Sequence, residues 1–192
     1  IGYFNNVKIE LTAIFFIILG SIPFIAYIKF MSGNKKIFLS DSQIKTFIKL
    51  IILSIVILFC YLLIKDNNFS LSNIRSVSFN VISILTGTGY VTQGFDKWGS
   101  FPLFYFLILM FIGGCAGSTT CGVKIFRIQI LYKFIINQLK KVIYPRGIFI
   151  IKYENNTVND KFLASIISFI YLYIIIFFIL TALLSLTGLD FV

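Results

Sequence analysis

The 192 residues include no histidine, and only 7 are Asp or Glu. Without imidazole the commonest general base, haem ligand and zinc ligand is missing, which excludes most metalloenzymes and triad hydrolases. Cysteine is scarce and odd in number: Cys60, Cys115 and Cys121 lie in apolar or small-residue stretches, which suits buried reduced thiols better than a disulfide framework. No nucleophile, base or metal cluster with workable spacing stands out, so the chain is expected not to be an enzyme and to hold no cofactor. The chain begins Ile1, Gly2, Tyr3, without an initiator Met or a signal-peptide pattern, and a fragment is the expectation. Charge of either sign is sparse, at 12% of residues, against 58% hydrophobic residues and a mean hydropathy of +0.96, so insertion into a membrane is the expectation.

Four runs are long and apolar enough to matter. Residues 11–28 form an 18-residue stretch without charge, about 27 Å as helix, close to the hydrocarbon thickness. A second span is expected over residues 42–64, with Lys45 and Lys49 carrying their ammonium groups to the headgroups. Residues 99–123 and 162–189 supply a third and a fourth, of 25 and 28 residues. A further run, residues 76–95, is too polar to face lipid: Ser76, Ser78, Asn80, Ser83, Thr86, Thr88, Thr92 and Gln93 are spread through it among glycines. Only residues 76–85 read as helix there, about 15 Å or half a bilayer, which fits a re-entrant half-helix. The fold class that follows is an all-α membrane protein with about four spanning helices and one pore half-helix.

The net charge of +10 is unevenly placed, and its placement argues for orientation rather than for binding nucleic acid. Lys29, Lys35, Lys36, Lys45 and Lys49 crowd the first connection, and Lys124, Arg127, Lys133, Lys140, Lys141, Arg146, Lys152 and Lys161 the last one. Both are expected on the cytoplasmic side. Residues 65–100, with few cations, then belong outside together with the start of the chain, and Lys124 and Arg127 read as cytoplasmic anchors. Trp98 reads as an interfacial anchor at the outer surface. Asn68 and Asn155 sit in chance-level glycosylation patterns and receive no role.

Two segments carry the functional reading. Non-helical backbone at membrane depth is tolerated only where it is buried in protein or lines a watery cavity. Thr86, Gly87, Thr88, Gly89 and Tyr90 follow the half-helix, and glycine there permits backbone angles that turn carbonyl oxygens toward an axis. Such oxygens can replace the hydration shell of a potassium ion, with no carboxylate required. The second segment is Gly113, Gly114, Cys115, Ala116, Gly117, Ser118, Thr119, Thr120, Cys121 and Gly122, in the middle of the third span. Each glycine costs a helix about 1 kcal/mol relative to Ala, so the helix is expected to break there and form a flexible intramembrane loop able to obstruct or admit ions. Close helix packing through small residues is the alternative use of such a run. Transport driven by protons has little support, because no Asp, Glu or His falls inside an expected span.

Asn80 to Ser83 leading into Thr86, Gly87, Thr88, Gly89 and Tyr90, then Gly113 to Thr119, Gly122, Lys124 and Arg127, resemble the potassium uptake proteins of the Trk/Ktr/HKT superfamily, with the TrkH type as the nearest branch. Gly2 and Tyr3 resemble the segment after that family's second filter, and Tyr144, Pro145 and Arg146 its following connection. Four successive helix, pore loop, helix repeats surround one pore in the family. The resemblance therefore implies that residues 1–41 are the last helix of the preceding repeat with its cytoplasmic loop. Residues 42–140 are a complete repeat with a broken second helix, and residues 141–192 are a connection with the first helix of the next repeat.

By the same resemblance the chain would take part in potassium uptake across the bacterial inner membrane, as a multi-pass protein of the plasma membrane with K+ as the transported ion. Its partners would be membrane lipid, the remaining pore repeats or further copies, and a cytosolic nucleotide-binding regulatory ring. Gly87 stands where the family often has threonine, and Thr120 and Cys121 where it has more glycine. With one filter segment of four, the chain is expected to be a piece of a longer or split protein, or a remnant of one. A one-loop channel subunit assembling as four copies and a non-conducting membrane interaction subunit stay open beside it.

Overall fold

The structure is a computed structural model that describes residues 2–4, 6–66, 70–92, 94–147, 149–154 and 156–188. Ile1, Asn68, Gln93, Asn155 and Leu189, named above, lie outside the described residues. The chain divides into two compact units, residues 1–126 and 127–192.

In the first unit, α1 (Val7–Gly20) starts at Asn6, whose side chain accepts a hydrogen bond from the Lys8 amide at 2.9 Å. It does not run on through the apolar stretch to residue 28. The chain breaks at Ser21 and α2 (Phe24–Met31) leaves at 87° to α1. Pro23 is the cause: it has no N–H for the helix ladder, and its ring disfavours helical backbone at Ile22. The single straight span expected over residues 11–28 is therefore a bent pair.

A short turn, α3 (Ile37–Ser40), leads to α4 (Ser42–Asp66), whose first turn is capped by Asp41, with Oδ1 accepting from the Gln43 amide at 2.8 Å and the Ile44 amide at 3.1 Å. The carboxylate there satisfies N–H groups that have no partner within the helix. α4 is 25 residues long and agrees with the expected second span.

α5 (Leu71–Leu85) is 15 residues, about 22 Å, and so five residues longer than the half-helix expected from residue 76. The expected limit follows from the uncharged run, which starts right after Arg75. The structure instead accommodates that cation inside the helix by placing the Glu10 carboxylate against it, 2.7 Å from Nε. Glu10 is itself in the first turn of α1, one residue before the expected span begins, and only 3% exposed. α5 is the centre of this unit and packs on α1, α4 and α6. Val77, Phe79, Val81 and Leu85 are fully buried, and Val77, Val81 and Leu85 share one core with Phe47 and Leu58 of α4 and Phe106 and Leu109 of α6.

α6 (Ser100–Phe111) follows a single 3-10 turn and covers 12 residues, about 18 Å. The helix stops there because residues 112–124 are non-helical, as the glycine run implied. Among the described residues, two helices are long and apolar enough to cross a membrane, or three if α1 and α2 count as one bent span. The span expected third, over residues 99–123, is the shortened α6.

α7 (Ile125–Ile143) continues into the second unit, where a two-stranded antiparallel hairpin, β1 (Lys152–Tyr153) with β2 (Asn156–Thr157), pairs Lys152 with Thr157 and precedes α8 (Asp160–Ser185). The Tyr153 hydroxyl donates to Gln129 Oε1 at 2.9 Å, and Lys133 Nζ donates to the Lys152 carbonyl at 2.8 Å, so the hairpin is tied to α7. α8, 26 residues and about 39 Å as helix, is the longest apolar helix in the chain. The architecture is that of an all-α membrane protein.

Candidate functional site

The end of α5 is shaped by hydroxyl groups. Thr86 Oγ1 lies 2.8 Å from the Ile82 carbonyl, 3.2 Å from the Ser83 carbonyl and 2.8 Å from Thr88 Oγ1. The amides of Thr88 and Gly89 both turn back to the Ser83 carbonyl, at 2.9 and 3.3 Å. These bonds use the last carbonyls of the helix, so the partially negative end of α5 is closed onto the segment that follows. Gly87 and Gly89 adopt φ of +72° and +78°, a region closed to side chains at low cost, while Thr88 between them stays at negative φ. Alternation of hand lets successive peptide oxygens face one side. Among the described residues, the carbonyls of Thr86, Gly87, Thr88, Gly89 and Tyr90 accept no hydrogen bond, and residues 87–90 are exposed.

The far end of this segment is braced. Asn80, fully buried in α5, accepts at Oδ1 from the Thr92 amide at 3.1 Å and from Thr92 Oγ1 at 3.4 Å. The Gly2 amide donates to the Val91 carbonyl at 3.3 Å. Asn80 carried no assigned role in the sequence reading. The available signal was an amide alone among Phe79, Val81 and Ile82 on a buried helix face, since such a group needs a partner.

Residues 112–124 form a closed loop. Ile112 and Val123 make a parallel bridge, with the Gly113 amide donating to the Val123 carbonyl at 2.8 Å and the Val123 amide to the Phe111 carbonyl at 3.0 Å. A Cβ at Gly113 would run into the Cys121 carbonyl, which is why glycine stands there. Within the loop, Gly114 N–H donates to Thr120 Oγ1 at 3.0 Å, and Ser118 Oγ donates to the Cys115 carbonyl at 2.6 Å.

The loop docks on the break between α1 and α2. Thr119 donates its amide at 3.2 Å and its hydroxyl at 3.0 Å to the Gly20 carbonyl. The Cys115 amide reaches the Ser21 carbonyl at 3.3 Å, and the Gly117 carbonyl accepts from the Phe24 amide at 2.9 Å. Gln43 Oε1 accepts from the Ala116 amide at 2.9 Å. Opening α1 at Ser21 and Pro23 is what frees these backbone groups. The expected flexible loop is thus held at both ends and along its middle.

It also touches the segment after α5: a Cβ built at Gly87 would lie 2.9 Å from Cys121 Cβ. Cys121 is exposed and Cys115 fully buried, so only one of the thiols expected to be buried in this loop is so.

Lys124 and Arg127, read from the sequence as cytoplasmic anchors, make contacts within the protein. Lys124 folds its ammonium onto the loop, donating to the Thr120 carbonyl, to Thr120 Oγ1 at 3.0 Å and to the Ser118 carbonyl at 3.4 Å. Arg127 lays its guanidinium 3.6 Å from the centroid of the Phe169 ring of α8, a cation–π contact inside the second unit. Backbone oxygen in the loop and an aromatic face in reach compete with the headgroup for these charges.

Among the described residues no group of His, Cys, Asp and Glu is arranged to hold a metal ion. The chemistry on offer is that of neutral oxygen dipoles.

Comparison with known proteins places the chain in a family. The family model for TrkH, described as a cation transport protein, matches residues 1–192. The chain is 33% identical over 176 residues to the Trk system potassium uptake protein TrkI of Halomonas elongata, covering 92% of this chain and 36% of that protein. It is 32% identical over 195 residues to the Trk system potassium uptake protein TrkG of Escherichia coli, covering 100% of this chain and 40% of TrkG. A crystal structure of the potassium transporter TrkH from Vibrio parahaemolyticus superposes with a TM-score of 0.91 at 29% identity, over 99% of this chain and 42% of that one. The chain spans about 40% of the length of such relatives.

Proposed function

Because the chain belongs to the TrkH family of cation transport proteins, we propose that it forms part of a potassium uptake pore, in which Thr86, Gly87, Thr88, Gly89 and Tyr90 give one stretch of the ion-selecting wall. One observation carries this reading: five successive carbonyls without hydrogen-bond partners among the described residues follow the C-terminal end of α5, with glycines at positive φ in alternation. Oxygens in that state are free to take the place of water around a dehydrated monovalent cation, and the number and strength of the dipoles help select it. The negative end of the α5 dipole adds to the attraction. No proton-transfer group and no resident cofactor is needed, and flow is passive, down the electrochemical gradient of K+.

The loop from Gly113 to Gly122 acts as the gate in this reading. Its contact with Gly87 through Cys121 supports a position directly beneath the selecting segment, and Lys124 supplies the charge that holds it in the arrangement seen. Orientation follows the lysine distribution, with the Thr86 to Tyr90 segment outside and the connections rich in lysine in the cytoplasm of the bacterial inner membrane. The rest of the wall comes from further repeats, in the same polypeptide or in other copies. A cytosolic nucleotide-binding ring is the partner that would act on the gate.

The test is Gly89→Ser in the full-length protein, reconstituted into lipid vesicles. Nothing lies within 4 Å of a Cβ at Gly89, so the change strains the φ of +78° without a clash. The expected result is a fall in the preference for rubidium, as a potassium surrogate, over sodium. An unchanged ratio at normal flux would overturn the assignment, and a non-conducting anchor role would be favoured by a wild-type chain that carries no ion in any assembly.

A further inference from the structure

Glu10 and Arg75 have no part in the mechanism above, yet they are ionised groups on two apolar packed helices, and such groups are rarely retained there without a task. Glu10 Oε2 lies 2.7 Å from Arg75 Nε, with the Glu10 side chain 4% exposed and the Arg75 side chain 26% exposed. The contact is electrostatic rather than a directed hydrogen bond, and neither atom has a hydrogen-bond partner among the described residues. Arg75 sits in the second turn of α5, near the partially positive end of that helix, where a cation is unfavourable by itself. The carboxylate in the first turn of α1 supplies the compensating charge.

The two helices joined by this pair also hold the two ends of the selecting segment. α5 leads directly into Thr86, and its Asn80 grips Thr92. The chain just before α1 grips Val91 through the Gly2 amide. A rotation or slide of α5 against α1 would therefore pull Thr86 and Val91 apart, and the ion pair is the charged tie that resists it.

We propose that Glu10 and Arg75 are positioning residues that set ion preference without touching the ion, by locking the helix that carries the selecting segment to the helix of the preceding repeat. This rests on reading Thr86 to Tyr90 as the selecting segment.

Four variants of the full-length protein test it: E10Q, R75Q, the neutral double E10Q/R75Q and the exchange E10R/R75E, each purified in detergent and reconstituted. Each single variant leaves one uncompensated charge and is expected to lower the rubidium over sodium ratio at least tenfold. The neutral double or the exchange is expected to recover most of that loss, a coupling that simple loss of packing does not produce. Wild-type ratios in the single variants, or doubles no better than the worse single, would overturn the proposal. If the exchange does not accumulate in the membrane, the cycle of E10Q, R75Q and their double decides by the same criterion. Gly89→Ser measured in parallel separates the two claims: if it relaxes the ratio and the pair variants do not, the tie alone fails, and if it leaves the ratio unchanged both readings fall.

Discussion

Replacing Gly87 by alanine strains the site twice, and the two contributions can be measured apart. The φ of +72° at Gly87 costs a residue with a β-carbon about 1–2 kcal/mol. The new methyl would also lie 2.9 Å from Cys121 Cβ, an overpacking of a kind that costs about 1–3 kcal/mol. Gly89→Ala and Gly117→Ala carry only the first cost, because both have positive φ and open space around the added atom. In thermal unfolding of the purified full-length protein, Gly87→Ala should therefore lose about 1–3 kcal/mol more than either control.

The partner identifies the mechanism. Cys121→Ala keeps the β-carbon that makes the contact, whereas Cys121→Gly removes it, so only the glycine should rescue Gly87→Ala, by about 1–3 kcal/mol in a double-mutant cycle. Rubidium flux should follow the same order, since the contact joins the selecting segment to the gate. Equal rescue by Cys121→Ala and Cys121→Gly, or Gly87→Ala no worse than Gly89→Ala, would refute the claim that the two segments meet at these atoms.

Asn80→Leu removes the acceptor of the Thr92 amide and leaves that group without its 3.1 Å partner, a loss of about 1–3 kcal/mol, and should relax rubidium over sodium preference in vesicles. Unchanged preference in protein that accumulates normally would count against the brace. Lys124→Met removes a charged donor shared by Ser118 and Thr120; at about 1.5–3 kcal/mol the ratio of open to closed states should shift about tenfold or more, read as higher basal flux. Basal flux equal to wild type would remove Lys124 from the gate.

Where periodicity and charge are local, the sequence discloses the structure. Residues 42–64 were legible as a span because the apolar run and the lysines that extend it lie within the segment itself, and α4 covers them. The glycine run at 113–122 announced its own break, and Gly87 and Gly89 their positive φ, since in each case the cause lies within the segment.

What was not legible depends on partners far along the chain. The N-terminal limit of α5 lies five residues before the expected one because Arg75, which bounds an uncharged run in the sequence, is accommodated in the helix by Glu10, 65 positions earlier. The contacts of Lys124 were not legible either, because the oxygens of Ser118 and Thr120 that it meets come into reach only on folding. The bend after α1 was signalled by Gly20 and Pro23, but an uncharged 18-residue run concealed it, and the reward for bending is the set of carbonyls that Cys115 and Thr119 use.

These distant partners converge on one element. α1 carries Glu10 near one end and Gly20 at the other, ten residues and about 15 Å apart along a rigid rod. Through Glu10 it is tied to the helix that precedes the selecting segment, and through the Gly20 carbonyl to the loop read as the gate. The same two functional segments meet again at Gly87 and Cys121. A movement of the loop is therefore opposed at two places, by its docking on the α1 break and by its contact with Gly87, and α1 cannot follow the loop without pulling on α5. Gate and selecting segment linked this way should respond together: a variant that loosens the loop's hold on Gly20, such as Thr119→Val, is expected to alter ion preference as well as basal flux, and a change in flux alone would show the two segments to be mechanically separate.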